Sequence, residues 1–251
     1  MHLDRLITVL ETVAIAGHPI SAVELQNVTG FPRPTCYRLL QTLAEHSLLE
    51  NKDNTLRYSI GERLIRIALL GQSDVDVCHA AAPAMKTAAS DLGEAVFLSR
   101  FRNKSVEIVH VETPSDPKRA FIHPGLGIRP MHACSCSKAI AAFAEDAFQE
   151  EILNGPMRAY TQHTKTDAKA LQLEFEIVRK QGYAECVEEI EVGVSSIAAP
   201  IQIGNIGATF SIGATGPIRR FTKPYRAKVG DQLKQLAKKV SLTIQLYNSS
   251  V

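Results

Sequence analysis

The segment from Cys134 to Lys138 holds the side chains best suited to chemistry, because two thiols and two hydroxyls precede a lysine. Apolar spacing predicts a helix that begins at Ser135 and continues to residue 144. A helix start presents free backbone N–H groups and the positive end of the helix dipole, which favour a bound anion or a thiolate. Two chemistries are therefore open: recognition of a small carboxylate, or hydrolysis or thiol transfer with Cys134 or Cys136 as the nucleophile.

The histidines are scattered and do not have the spacing of a metal site. Neither His-x-x-x-His nor Cys-x-x-Cys occurs in the sequence, so zinc is weakly supported. His132 stands just before the predicted helix, where a single histidine more often holds a loop by hydrogen bonding. The sequence also lacks a Gly-x-Ser-x-Gly elbow, a phosphate-binding loop and a dinucleotide fingerprint. We therefore expect no cofactor, no resident metal and no enzymatic activity.

A second concentration of polar chemistry lies on the third predicted helix of the N-terminal region. One face of this helix is an apolar stripe formed by Cys36, Leu39, Leu40 and Leu43. The opposite face carries Arg38 and Gln41, and its flanks carry Thr35, Tyr37 and Thr42. Arg33 adds a second basic side chain to the first two turns, which contain no acid. A helix that enters the major groove of DNA needs this combination, with polar groups toward the bases and apolar groups toward its own domain.

Two helices precede this one in the predicted order. Residues 3–16 have apolar side chains at three- and four-residue spacing, which predicts an amphipathic helix. Ser21 and Glu24 form a capping box at the start of a short second helix, and Gly30 ends it. A capped helix, a tight turn and a third helix are the parts of a helix-turn-helix.

A hairpin follows the third helix and completes the pattern. Residues 48–51 and 56–60 are predicted strands, joined by the polar turn 52–55. Arg57 lies in this wing, where a cation would contact phosphate. We predict a winged helix-turn-helix over residues 1–72, including a connecting helix, with a small helical oligomerisation domain as the alternative. Charge does not separate the two, because these residues include seven basic and seven acidic side chains.

Residues 73–251 differ in pattern, because strands are mixed among helices. Helices are predicted over about 78–92, 135–144, 167–181 and 222–247. Strands are predicted over 95–100, 106–111 and, as a pair, 192–214, with a strand or loop beginning at Gly182 and a loop over 112–130. Paired strands flanked by helices indicate an α+β domain with an antiparallel sheet. The boundary between the two domains is expected near residues 71–76.

Composition excludes several classes of protein. The chain has 251 residues, of which 45% are hydrophobic and 22% charged, so wholesale disorder is excluded. A formal net charge of +2 excludes a chain-wide polycationic coat. Five cysteines, an odd number, and a first helix without the apolar core of a leader predict reduced thiols and a cytoplasmic location. The uncharged stretch 192–218 contains Pro200 and several glycines, so we expect strands there and no membrane span.

Five segments, taken in order, carry a recognisable pattern. Two of them are GFPRPTCYRLLQTLAEHSLLE at 30–50 and LRYSIGERLIRIALLG at 56–71. The other three are Pro130-Met131-His132-Ala133 with Lys138-Ala139, Gly182-Tyr183-Ala184, and Gly193-Val194-Ser195-Ser196-Ile197-Ala198-Ala199-Pro200. Together they resemble the isocitrate-lyase-regulator (IclR) family of bacterial transcription factors. One departure is Cys134-Ser135-Cys136-Ser137, where the family usually has small residues and glycine.

The resemblance implies a transcriptional repressor or activator. Such a protein would bind a pseudo-palindromic double-stranded DNA operator as a homodimer or as a dimer of dimers, a homotetramer. Its implied DNA-facing residues are Arg33, Thr35, Tyr37 and Arg38. The implied second domain is GAF-like, with a pocket for a small organic acid, whose binding would change the placement of the two N-terminal domains. The residues implied to line the pocket are Ser135, Cys136, Cys186, Ser196 and Ser211, with His132 and Val194 in the same signatures.

Alternatives remain open for several of these side chains. Ser196 and Ser211 could simply satisfy backbone groups near strand ends. The cysteines could be small pocket walls, or Cys136 and Cys186 could form a reversible disulfide or react with an electrophilic effector. In a third interpretation, Cys134, Cys136 and Cys186 join His132 in holding a metal. The second and third interpretations would make the chain a redox or metal sensor.

Overall fold

The computed structural model describes residues 2–51, 55–71, 73–116, 118–119, 124–202 and 207–247. Its described residues form two compact units that divide just before Ser73. Each unit has its own apolar core, and each is described by itself below.

The N-terminal unit begins with three helices, which are α1 (His2–Ala16), α2 (Ala22–Thr29) and α3 (Arg33–Glu45). The predicted capping box is confirmed, because Ser21 accepts from the Glu24 N–H while the Glu24 carboxylate accepts from the Ser21 N–H. Gly30 ends α2 at a φ of 70°, in the left-handed region that glycine adopts without strain. These local signals fix the turn between α2 and α3.

The wing of this unit is shorter than predicted. Strands β1 (Leu49–Glu50) and β2 (Ser59–Ile60) pair antiparallel, and Tyr58 exchanges backbone hydrogen bonds with Ile20. Residues 52–54 of the predicted turn lie outside the described residues. Helix α4 (Glu62–Gly71) follows, where the connecting helix was predicted.

The apolar stripe predicted for α1 is only partly buried. Val9 and Val13 lie in the core with Leu25, whereas Leu3 and Ile7 are exposed. The apolar spacing therefore predicts the helix correctly. The apolar side chains, however, spread over a wider arc of the helix surface than the part that packs against the core.

The C-terminal unit is built on a six-stranded antiparallel sheet. Its strands are β3 (Ala95–Arg102), β4 (Ser105–Glu112), β5 (Gly127–Arg129), β6 (Ala184–Val187), β7 (Val194–Gln202) and β8 (Ala208–Pro217). Their order across the sheet is β5-β4-β3-β8-β7-β6. The predicted α+β class with an antiparallel sheet is confirmed, and the strand pair predicted within 192–218 is β7 and β8.

The described residues of this unit also form five helices: α5 (Asp74–Leu92), α6 (Ser135–Ala141), α7 (Asp146–Asn154), α8 (Ala168–Gln181) and α9 (Lys223–Tyr247). Helices α5 and α9 pack on each other and on one face of the sheet. Helix α6 packs on strands β6, β7 and β8 from the other face, with α8 beside it. The site described below lies next to α6.

Four elements of this unit correct the sequence prediction. Helix α5 begins at Asp74 and not near residue 78, because Ser73 caps its first turn and acidic side chains favour a helix start. Strand β5 lies within the predicted loop 112–130, and its three residues are too few to show a period. Helix α6 ends at Ala141, three residues early, and α7 follows where no element was predicted.

In the described part of the chain, no helix is both long enough and apolar enough to cross a membrane.

Candidate functional site

The first candidate site is the outer face of α3. The predicted apolar stripe is buried, with Cys36 and Leu40 fully inaccessible. The side chains of Arg33, Tyr37, Arg38 and Gln41 are exposed, and that of Thr35 is partly exposed. The helix thus presents the five predicted polar residues on its accessible surface. Proline at the second helical position fits a helix start, since the fixed φ of proline suits the first turn.

Arg57 has a more constrained position than the sequence suggested. Its Nη2 atom lies 2.7 Å from Glu24 Oε1, and its Nε donates to the Pro19 carbonyl. The bridge joins the wing to the start of α2, and both side chains remain more than 40% exposed. Arg57 therefore supports the turn region while still presenting its cation to solvent.

The second candidate site is a cavity of about 130 Å³ between the sheet, the start of α6 and the β6–β7 loop. Three predicted residues, Cys186, Val194 and Ser196, line it. Cys134, which the sequence offered as an alternative to Cys136, also lines it. Prediction missed the other lining residues, which are Phe97, Ile108, Pro124, Arg129, Ile190, Glu191 and Thr215. We call this space the effector cavity.

Arg129 supplies a cation to the wall of the effector cavity. Its guanidinium donates to the carbonyls of Pro124 and Gly125, so the side chain is held in place by its own loop. A signal for this residue exists in the sequence, since Arg129 is the only Lys, Arg, Asp or Glu between residues 120 and 137. The sequence could not show that β5 brings it to the cavity.

Ser135 and Ser211 lie behind the cavity wall and support it. The Ser135 hydroxyl is 2.8 Å from that of Ser196, which does line the cavity. The Ser211 hydroxyl is 2.8 Å from that of Ser99 and also donates to the Cys136 carbonyl. All of these hydroxyls are satisfied within the protein, as buried polar groups must be.

Cys136 was predicted to line the site, but its neighbour Cys134 does so. Cys136 is fully inaccessible, and its Sγ lies 3.4 Å from Cys134 Sγ. Residues two apart at a helix start face different directions, so only one of the two reaches the cavity.

His132 lies in a different groove from the effector cavity. Its Nε2 atom is 2.9 Å from the Arg158 carbonyl, and its ring stacks on Tyr160. Lys104, Met131 and Phe148 share that groove with it. This hydrogen bond to a loop carbonyl is the arrangement expected of a histidine that holds a loop in place. His132 is therefore not brought together with the cysteines.

The cavity cysteines are poor nucleophiles at rest. Burial raises the pKa of Cys186 to about 12. The hydrogen bond with Cys136, together with burial, raises the pKa of Cys134 well above its ordinary value. Within the described residues, no cluster of three or more His, Cys, Asp or Glu side chains has the arrangement of a metal site. A thiol enzyme needs an accessible thiolate, which neither cavity-lining cysteine provides.

A buried ion cluster holds the β6–β7 loop against α6. Lys138 is fully buried, and its Nζ lies 2.6 Å from both Glu174 Oε1 and Glu189 Oε1. Burial lowers the pKa of Lys138, but the two carboxylates more than offset this, so the ammonium stays charged. Lys165 adds a second cation to the same carboxylates. Since Ile190 and Glu191 follow in the loop, the cluster sets the shape of the cavity.

Comparison with known proteins bears on both units. The description of the IclR helix-turn-helix domain matches residues 2–53, and that of the bacterial transcriptional regulator IclR C-terminal domain matches residues 71–242. The glycerol operon regulatory protein of Streptomyces griseus is 28% identical, over 87% of this chain and 85% of its own. The transcriptional repressor AllR of Escherichia coli is 27% identical, over 97% of this chain and 90% of its own.

Solved structures share the fold. An IclR transcriptional regulator from Alicyclobacillus acidocaldarius has a TM-score of 0.63 at 20% identity, covering 96% of each chain. An IclR homologue from Microbacterium hydrocarbonoxydans, solved in complex with 4-hydroxybenzoate, has a TM-score of 0.61 at 22% identity, covering 98% of this chain and 99% of that one.

A winged helix-turn-helix with an exposed polar helix, joined to a sheet domain with a small cavity, defines a transcriptional regulator. The chain belongs to the IclR family of bacterial transcriptional regulators, because the two family descriptions together match most of its length. The family resemblance seen in the sequence is confirmed.

Proposed function

We propose that this protein is a cytoplasmic, ligand-responsive regulator that binds DNA through α3 and senses a small carboxylate in the effector cavity. The observation that carries the ligand class is that Arg129 lines a small, mostly apolar cavity, whose other charged lining residue is Glu191. Arginine pairs with carboxylates through two parallel hydrogen bonds, which gives both strength and orientation.

The size of the effector cavity limits the ligand. Its volume of about 130 Å³ is below the roughly 300–1,000 Å³ typical of sites for drug-sized molecules. Phe97 and Ile108 provide apolar contact, while the Ser196 and Thr215 hydroxyls can accept or donate. A short-chain carboxylic acid, with or without a hydroxyl group, fits this combination of charge, size and polarity.

DNA recognition is proposed for the exposed face of α3. Arg38 and Gln41 lie at its centre and can reach base edges, while Arg33 and Tyr37 flank them near the helix start. Arg57 in the wing is proposed to contact phosphate, because its cation stays exposed beside the start of α2. We propose a homodimer or a dimer of dimers, whose paired units would read the two halves of a pseudo-palindromic operator.

Regulation is proposed to follow from linkage between the two sites. A carboxylate that binds one arrangement of the dimer more tightly than another shifts the population toward that arrangement. The operator affinity changes with this arrangement, because the distance between the two half-sites on the DNA must match the distance between the two α3 helices of the dimer.

A thermal-shift screen of short-chain carboxylic acids tests the ligand class. An acid at about 100 times its Kd should stabilise the protein by about 2.7 kcal/mol. The best acid is then titrated by calorimetry into the wild type and into Arg129→Gln. Loss of a charged hydrogen bond costs about 1.5–3 kcal/mol, so we expect affinity to fall by at least about tenfold.

Arg158→Gln is the matched control, since Arg158 is an exposed arginine in the separate groove that contains His132. Its acid affinity should equal that of the wild type. Equal losses in both variants, or no acid that stabilises the wild type, would refute the cavity as a carboxylate site.

A further inference from the structure

Two thiols are in contact at the wall of the effector cavity. The Sγ atoms of Cys134 and Cys136 lie 3.4 Å apart, and a hydrogen bond joins them. Cys134 lines the cavity, whereas Cys136 is fully inaccessible behind it. A small solute that enters the cavity therefore meets the Cys134 sulfur, with a second sulfur directly behind.

The backbone at this point allows the two sulfurs to join. Cys134 is extended, with φ −86° and ψ 140°, and α6 begins at the next residue. A disulfide needs its sulfurs at about 2.05 Å, so the two atoms must approach by only about 1.4 Å. Rotation of the Cys134 side chain at the end of an extended residue can supply that movement.

We propose that Cys134 and Cys136 form a dithiol modification site, which a small hydroperoxide entering the effector cavity converts reversibly to a disulfide. The role goes beyond carboxylate sensing and does not depend on it. It would give the regulator a second, oxidative input at the same wall, because the disulfide would reposition a lining side chain.

The chemistry balances with hydrogen peroxide as the oxidant. The proton of Cys134 passes to the Cys136 thiolate across their hydrogen bond, and the Cys134 thiolate so formed attacks one peroxide oxygen. The O–O bond breaks, and the departing hydroxide takes up a proton to become water. The sulfenic acid that results is attacked by the second sulfur. The S–O bond then breaks, and the hydroxide leaves as a second water with the proton of that thiol. The two sulfurs are oxidised by two electrons in total, and the peroxide is reduced to two waters.

The local electrostatics support one shared thiolate in this pair. Burial raises the pKa of Cys136, but its side-chain hydrogen bonds with Cys134, Ser99 and Ser137 more than offset this, and the pKa falls below the ordinary value. Cys186 also lines the cavity, but burial raises its pKa to about 12, so it stays a thiol. The 3.4 Å contact between the two sulfurs is what favours Cys136 over Cys186 as the partner of Cys134.

Mass spectrometry of the full-length protein tests the proposal. The reduced protein is treated with a small molar excess of hydrogen peroxide, remaining thiols are alkylated, and the protein is cut with trypsin. The peptide that ends at Lys138 carries Cys134 and Cys136 and none of the other three cysteines. We expect this peptide to lose two hydrogens and escape alkylation, and dithiothreitol to restore both thiols. Full alkylation, oxygen added at Cys134 or Cys136 as located by fragmentation, or a link to the Cys186 peptide would overturn the proposal.

Three variants locate the bond. Cys134→Ser and Cys136→Ser should each abolish the oxidised peptide, whereas Cys186→Ser is the matched control from the same cavity and should retain it. Persistence of the change in either of the first two variants, or its loss in the third, would assign the bond elsewhere. The wild-type measurement decides the proposal even where a serine variant fails to fold.

Discussion

The two units carry their candidate sites in opposite ways. In the N-terminal unit the polar residues of α3 point outward, and the core lies entirely on the other side of the helix. In the C-terminal unit the candidate residues line a cavity, and their supports, such as Ser135 and Lys138, are fully buried.

Because of this difference, a substitution at a functional residue should change binding without changing stability in the N-terminal unit, but should change both in the C-terminal unit. An exposed side chain on a regular helix can change with little effect on folding, because it loses few packed contacts. A residue behind a cavity wall belongs to the core, so its removal leaves a void or an unpaired charge. We therefore expect independent effects on DNA binding and folding in the first unit, and coupled effects on ligand binding and folding in the second.

The strongest test of the comparison is to separate the units. A fragment that begins at Ser73 keeps the cap of α5 and all six strands of the large sheet. It should bind the acid found in the thermal-shift screen as tightly as the full chain does, and lose all operator binding. Calorimetry and fluorescence anisotropy measure the two properties. A well-folded fragment without acid affinity would show that the cavity needs the N-terminal unit.

The next largest effect is expected for Lys138→Met in the buried ion cluster. Removal of Lys138 leaves the buried Glu174 and Glu189 with only the partly exposed Lys165 as a counter-charge, which costs about 3–5 kcal/mol of unfolding free energy. Urea unfolding measures the loss. Lys104→Met is the control, because the Lys104–Glu151 pair is exposed and such pairs contribute about 0–1 kcal/mol. Similar losses of unfolding free energy in the two variants would show that the buried ion cluster stabilises the fold no more than the exposed pair does.

A smaller effect, on DNA binding alone, is expected for α3. Arg38→Ala and Thr35→Ala should each weaken operator binding by about 1–3 kcal/mol if the side chain reads a base. Their urea unfolding should match that of the wild type within about 0.5 kcal/mol. Fluorescence anisotropy with the DNA upstream of the protein's own gene measures the affinity. Operator affinities within about twofold of the wild type in both variants would remove α3 from the proposed interface.

Two further variants separate base reading from phosphate contact. Glu45→Ala lies in the exposed last turn of α3, outside the proposed surface, and should bind the operator as the wild type does. Arg57→Ala should weaken binding to all DNA sequences alike and reduce the salt dependence. A sequence-selective loss in Arg57→Ala would assign base reading to the wing.

The smallest effect concerns the pH dependence of the N-terminal unit. Hydrogen bonds from Ser21 and the Arg57 pair lower the pKa of Glu24 from 4.5 to about 2. A lowered pKa stabilises the folded state above pH 4.5, and this contribution is lost as the pH falls toward 2. Glu24→Gln should therefore show a flatter fall in stability between these pH values, measured by urea unfolding. An unchanged pH profile would show that the carboxylate of Glu24 does not stabilise the fold.

The sequence by itself determined the elements whose signals are local. The capping box of Ser21 and Glu24, the glycine at position 30 and the apolar stripe of α3 each depend on residues a few positions apart. The same holds for the paired strands β7 and β8. Since α3 is a single regular helix, its period alone also predicted which face is exposed.

Only the tertiary structure decided the composition of the effector cavity. Its lining comes from strands β3, β4, β5, β6, β7 and β8 and from loops distant in sequence, so no local period reports which side chains meet. Arg129 reaches the cavity because the three-residue strand β5 pairs with β4. Cys134 lines the cavity where Cys136 was predicted to do so, because Cys136 is buried behind it. His132 lies in another groove, where its ring contacts the Arg158 carbonyl and Tyr160. A helix face follows from rotation along one segment, whereas a cavity requires the relative positions of many segments.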